Sequence, residues 1–159
     1  MKRAVICTLD PQNYISQLAD YSIMIINPES KLDRYNYLLE KSDWSVLITE
    51  QGTMYRNGND YPNEKILMFT SGTTGDSKFY SFSQEKINTM AKNNISAYNI
   101  TENDRYASVM PLWHAHGQSF YWTMKYANCE IEYFPSKQLK LVPKYAPTFT
   151  TAVPAILRV

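Results

Sequence analysis

The sequence predicts an α/β fold: a largely parallel sheet with flanking helices. Three observations carry that expectation. Short apolar runs recur at residues 22–26, 46–49 and 66–69, and the first is the continuous kind found in strands covered on both faces. Segments of helical spacing lie between such runs, most clearly residues 84–98, where Ile87, Met90, Ala91, Ile95 and Tyr98 fall at helical intervals. Turn signals at Asp10-Pro11 and Asn27-Pro28 mark the changes of pattern. Strands alternating with helices build βαβ units, which pair their strands in parallel.

Taken in order, residues 4–9 form a β-prone run, and residues 13–20 a weak helix. Residues 22–26 (Ser-Ile-Met-Ile-Ile) are the second strand. In the turn that follows, Ser30 caps a helix with Asp33 in its first turn. That helix carries Leu32, Tyr35 and Leu39 on one face and ends near Lys41-Ser42. Residues 46–49 are a third strand. Residues 51–63, with Gly52, Gly58 and Pro62 among polar neighbours, read as an exposed loop. The strand 66–69 runs straight into a Thr/Ser/Gly segment, after which Ser83 caps the helix 84–98. A strand at 106–110 ends at Pro111, a helix covers 117–127, and strands cover 130–134 and 149–153. There is no internal repeat, low-complexity tract or interdomain linker, so one domain over residues 1–159 is expected.

Composition narrows the function. The 159 residues include 13 Tyr, 6 Phe and 3 Trp with near-balanced charge, which excludes a disordered chain. With 16 basic against 15 acidic residues there is no electrostatic excess for nucleic acid. Cys7 and Cys129 are too few to staple a small secreted scaffold. No run reaches the 18 apolar residues of a membrane span. The basic-then-apolar start breaks at Asp10-Pro11, too early for a signal peptide, so a cytoplasmic chain is expected.

The chemistry concentrates in residues 67–78, Leu-Met-Phe-Thr-Ser-Gly-Thr-Thr-Gly-Asp-Ser-Lys. Two of the five glycines and five hydroxyl residues stand here, directly after a strand. Glycines let backbone N–H groups converge on an anion, Ser and Thr hydroxyls add donors, and Lys78 supplies a point charge suited to a polyphosphate. The spacing is neither a Walker loop nor G-x-G-x-x-G. On composition alone, a plain Ser/Thr/Gly-rich turn is the other reading. A second cluster is Pro111-Leu112-Trp113-His114-Ala115-His116-Gly117, which holds both histidines of the chain. Zinc is disfavoured because no Cys, Asp or Glu stands in that segment to complete a tetrahedral set. Scattered carboxylates (Asp10, Glu29, Asp33, Glu40, Asp43) read as solvated faces, and Lys137, Lys140 and Lys144 as a helix or loop edge.

Residues 67–78 resemble the signature phosphate loop of the AMP-binding, adenylate-forming superfamily, which includes acyl-CoA synthetases. Phe79 replaces the glycine usual after the lysine, and Ser77 the frequent proline before it. Residues 111–117 resemble that family's proline-aromatic-histidine motif beside the acyl pocket, and the His-x-His-Gly form resembles synthetases for short dicarboxylates. Residues 25–49 and 148–157 look like the family's neighbouring strand-helix-strand and strand-turn segments. The resemblance implies a partial version of the adenylate-forming N-terminal domain, with the C-terminal domain absent. It implies ATP or AMP with Mg²⁺ as cofactors, bound through Thr70, Ser71, Gly72, Thr73, Thr74, Gly75 and Lys78. His114, His116 and Gly117 would border a small carboxylic acid, with CoA or a carrier-protein thiol as acyl acceptor. The family's ribose-binding aspartate, its Tyr-Gly-x-Thr-Glu segment and its catalytic lysine have no counterpart in these residues, so no complete catalytic set is expected. The alternatives are a truncated ligase-like protein, a non-catalytic phosphate-binding remnant, or one half of a split ligase. In the fragment readings, an exposed docking face takes a complementing chain or a second copy.

Overall fold

A continuous apolar run needs shelter on both faces, and the first strands receive it. The computed structural model describes residues 1–70 and 77–154, the side chains of Ser136 and Lys137 excepted. It divides into two compact units, Met1–Gln84 and Glu85–Val159. No helix among the described residues is long and apolar enough to cross a membrane.

The first unit holds strands β1 (Lys2–Cys7), β2 (Tyr21–Ile25), β3 (Val46–Thr49), β4 (Gly52–Tyr55), β5 (Ile66–Phe69) and β6 (Phe79–Phe82) in one sheet of order β4-β3-β1-β2-β5-β6. Its centre is parallel: Ala4 of β1 pairs with Ile23 of β2 and Val46 of β3, and Ile23 pairs with Ile66 of β5. The two edges, β4 and β6, run antiparallel to their neighbours. Successive residues of β1 and β2 are buried whichever way they point, Val5 and Met24 with Ala4 and Ile23 alike. Between these strands lie helix α1 (Gln12–Ile15) with a 3₁₀ turn (Ser16–Leu18), and helix α2 (Leu32–Ser42). Leu38 of α2 packs into a core with Val5, Cys7, Met24, Leu47 and Leu67.

Four expectations need correction here. The weak helix at 13–20 is broken into α1 and the 3₁₀ turn. Lys31, not Ser30, is the cap residue of α2, and its side chain makes no cap bond. The Ser30 amide instead closes a turn on the Asn27 carbonyl at 3.1 Å. Of the expected face of α2, Tyr35 and Leu39 do pack against the core, but Leu32 is 70% exposed and the fully buried residues are Leu38 and Ser42. Residues 51–63 are not all loop, because Gly52–Tyr55 returns along β3 as an edge strand. β6 is likewise a strand that no sequence run announced.

The second unit holds helix α3 (Gln84–Tyr98) from its second residue onward and a three-stranded parallel sheet, order β8-β7-β9. Strand β7 (Arg105–Ser108) leads through helix α4 (Ala115–Tyr126) to β8 (Glu130–Tyr133). From there a 3₁₀ turn (Ser136–Leu141) and helix α5 (Val142–Tyr145) lead to β9 (Phe149–Thr150). Alternation along β7 divides its neighbours. Tyr106 joins Ile100, Phe120 and Met124, while Ala107 joins Val109 and Phe134 with Leu139 and Val142 beside them. Asn99 and Asn128 follow α3 and α4 with positive φ of 53° and 59°. The next amides reach five residues back, Ile100 to the Ile95 carbonyl and Cys129 to the Met124 carbonyl, closing both helices with a Schellman-type turn.

Candidate functional site

In the first unit, β5 and β6 form a hairpin whose connection is the hydroxyl-rich segment. The pairing runs from Ile66 opposite Phe82 to Phe69 opposite Phe79. At the base of the connection the Thr70 N–H donates to the Lys78 carbonyl at 3.0 Å. The rings of Phe69 and Phe79 stand 6.5 Å apart beneath it, and both pack against the core of the sheet. Phe79, the departure from the family pattern, is thus a paired strand residue. Thr70 and Lys78 are exposed, while Ser71, Gly72, Thr73, Thr74 and Gly75 lie outside the described residues. Because the chain returns from this segment as a strand, no helix N-terminus stands immediately after it. An anion held here depends on backbone amides, hydroxyls and the lysine charge.

In the second unit, β7 runs on through the buried Val109 and Met110 to Pro111, where the chain turns into α4. The His114 amide donates to the Pro111 carbonyl at 3.1 Å, and its own carbonyl accepts the Gln118 N–H at 3.0 Å. His114 is the cap residue of α4 in extended conformation, and its imidazole makes no cap bond. Both His114 and His116 are exposed; the His116 ring lies 5.1 Å from that of Phe120. Gly117 is buried for a steric reason. A Cβ there would stand 2.3 Å from the Pro111 carbonyl oxygen and 2.9 Å from that of Met110. The glycine lets the first turn of α4 sit directly on the end of the strand. Asn94 of α3 fixes α4 further along, its amide donating to Thr123 Oγ1 at 2.9 Å and Ser119 Oγ at 3.3 Å.

Sequence reasoning passed over two further features. A cavity of about 330 Å³ opens at the carboxyl ends of β1, β2 and β3, lined by Cys7, Pro28, Tyr35, Thr49 and Glu50 among others. Open α/β sheets place ligands at such ends. Burial pushes the Cys7 thiol up to about 11, against a lowering bond from Tyr35, so it stays a neutral thiol and not a nucleophile. Glu64 and Lys65, just before β5, are both buried although charged. Their only sequence signal was their position against the apolar run. Among the described residues no three His, Cys, Asp or Glu side chains gather to hold a metal.

The chain is thus an α/β protein whose first unit carries a hydroxyl-rich strand-to-strand loop and whose second carries a histidine pair at a helix start. Comparison with known proteins gives the class a name. Residues 62–159 match the family model described as AMP-binding enzyme, and the chain belongs to that family. A CoA ligase of Gibberella moniliformis (strain M3125 / FGSC 7600) is 35% identical over 68 residues, which is 43% of this chain and 11% of that protein. Among solved structures, o-succinylbenzoate CoA synthetase (MenE) of Bacillus subtilis in complex with AMP superposes with a TM-score of 0.79 at 18% identity. That match covers 99% of this chain and 50% of the other. The same enzyme with ATP and magnesium gives 0.78 at 18%, covering 99% and 40%. ATP-bound MatB of Rhodopseudomonas palustris gives 0.73 at 15%, covering 98% and 40%. These likenesses show the α/β fold. The chain spans half or less of the length of these three structures.

Proposed function

We propose that residues 1–159 are a partial AMP-binding domain that holds the phosphates of ATP, related to ligases that convert a small carboxylic acid to its acyl-adenylate. In the full reaction a carboxylate oxygen attacks the α-phosphorus and the bond to pyrophosphate breaks; a thiol such as CoA or a carrier phosphopantetheine then takes the acyl group, losing its proton as the acyl–phosphate bond breaks and AMP leaves. One observation carries the reading. The hydroxyl- and glycine-rich segment is drawn shut at its base by the bond from Thr70 to Lys78, on a hairpin rooted in the sheet. Ser71, Gly72, Thr73, Thr74 and Gly75 would supply amides and hydroxyls, and Lys78 the charge, for the β- and γ-phosphates. The AMP and ATP complexes of the structurally similar synthetases support it.

His114 and His116, with Gly117 seating the helix beneath them, are proposed to border the acid. The amino end of α4 presents N–H groups and a favourable potential for a carboxylate there. Magnesium would enter with the nucleotide phosphates, as it does where one or two protein oxygens complete its shell. No step is assigned to it. A cytoplasmic location goes with this chemistry.

A second reading is a phosphate-binding module without adenylating activity, or half of a split ligase. Its docking face would include β4, an edge strand exposed along its length, with Met54 at 51% and Tyr55 at 76% exposure. The ATP–pyrophosphate exchange assay tests the division of labour. The 159 residues alone are expected to stay at background while still binding ATP more tightly than AMP, which lacks the β- and γ-phosphates. Equal binding of ATP and AMP would remove the loop assignment, and clear exchange would remove the partial-domain reading.

A further inference from the structure

Charged side chains are rarely buried unless paired, yet adjacent Glu64 and Lys65 are 6% and 8% exposed. Their partners diverge. The Glu64 carboxylate grips the Arg3 guanidinium at two points, 2.7 and 3.1 Å, and accepts the Ser22 hydroxyl at 2.7 Å. Arg3 in turn donates to the Ser42 carbonyl at 2.9 Å and lies against the Tyr61 ring. The Lys65 ammonium donates to the carbonyls of Ala19 and Tyr21, at the entrance to β2. Side by side in sequence, the two residues tie the chain to β1, the end of α2 and the start of β2.

That tie stands where ordinary pairing is thinnest. β5 meets β2 through a single register pair, Ile66 opposite Ile23, with the Ile23 amide bonded to the Lys65 carbonyl at 2.9 Å. One pair specifies register weakly, and a slip of one residue would turn every β5 side chain to the other face. It would also carry the whole β5–β6 hairpin along the sheet by about 3.3 Å. We propose that Glu64 and Lys65 are positioning residues: they lock the register of the hairpin on β2 and so fix where its ends, Thr70 and Lys78, stand. This rests on the reading of the loop between them as a polyphosphate site, but the lock itself is a property of the sheet.

The test is site-resolved amide hydrogen exchange on wild type, Glu64→Gln and Lys65→Met, with ATP titrated into each. Exchange in β5 and β6 is expected to quicken about tenfold or more in both variants, with β3 and β4 unchanged. ATP affinity should fall by about tenfold or more, as misplacement of binding groups by an ångström or so demands. Should Glu64→Gln fail to fold, Arg3→Lys keeps the charge, loses the two-point grip and must loosen the same hairpin. Uniform quickening across all strands, or none in β5 and β6, overturns the lock. A wild type that binds no ATP, with loosening still confined to the hairpin, upholds the lock and removes the nucleotide reading instead.

Discussion

At Gly117 there is no room for a side chain: a Cβ would stand 2.3 Å from the Pro111 carbonyl oxygen. Any Cβ would press into two backbone carbonyls that cannot swing aside as a flexible side chain would. Gly117→Ala is therefore expected to cost about 1–3 kcal/mol, the range for overpacking a tight site. Urea unfolding measures it, and the two imidazole signals in an NMR spectrum should move with it, since both histidines belong to this turn. Two aspartates carry the acid response. Asp43 accepts the Tyr61 hydroxyl at 2.6 Å and the Asn59 amides, and these bonds hold its carboxyl below the usual range. Asp104 is lowered in the same way, first by the Thr148 hydroxyl at 2.6 Å and then by the Thr101 amide. A lowered folded pKa contributes stability that is fully present above the unfolded value of about 3.9 and is lost as pH falls through the folded one. Thermal melts taken downward from about pH 5 should show that loss, and Asp43→Asn with Asp104→Asn should remove part of it. An unchanged acid slope in the double variant would count against these bonds.

Element by element, α2 gives the sharpest contrast. Leu38 is fully buried against the sheet and Leu32 is 70% exposed, although both are leucines on one amphipathic helix. Leu38→Ala should cost about 2–5 kcal/mol and Leu32→Ala within about 0.5 kcal/mol, read from denaturant midpoints. The same contrast explains what the sequence could announce. Central strands β1, β2, β3 and β5 are shut off on both faces, so their residues had to be continuously apolar and were legible. β4 has no buried residue at all, and β6 is at best half-buried. Their extended state is imposed by hydrogen bonding to β3 and β5, which leaves no apolar pattern behind. Of the proposed site, the Thr70 to Lys78 segment stands out in the sequence because its glycines, hydroxyls and lysine are the residue types anion binding calls for. Glu64 and Lys65 do not, since a buried charge is written with the same letters as a solvated one. The need for Gly117 emerges only once α4 folds back on Met110 and Pro111.

For the molecule as a whole, the two units carry one motif each: the first presents the loop on a hairpin, the second sets the histidines at a helix start. Membership of the AMP-binding enzyme family rests on residues 62–159, which run from just before β5 through the second unit. The rest of the first sheet supports that hairpin from beneath, through the core around Leu67, Phe69 and Phe79 and the charged tie at Glu64. We propose that this hairpin serves to hold a polyphosphate. The most direct test is calorimetric titration of ATP into the wild type, Ser71→Ala and Lys78→Ala. Saturable binding is predicted for the wild type, weakened by up to about tenfold without the serine hydroxyl and by about 10–100-fold without the lysine charge. Absence of binding by the wild type, or binding that neither substitution touches, would contradict it.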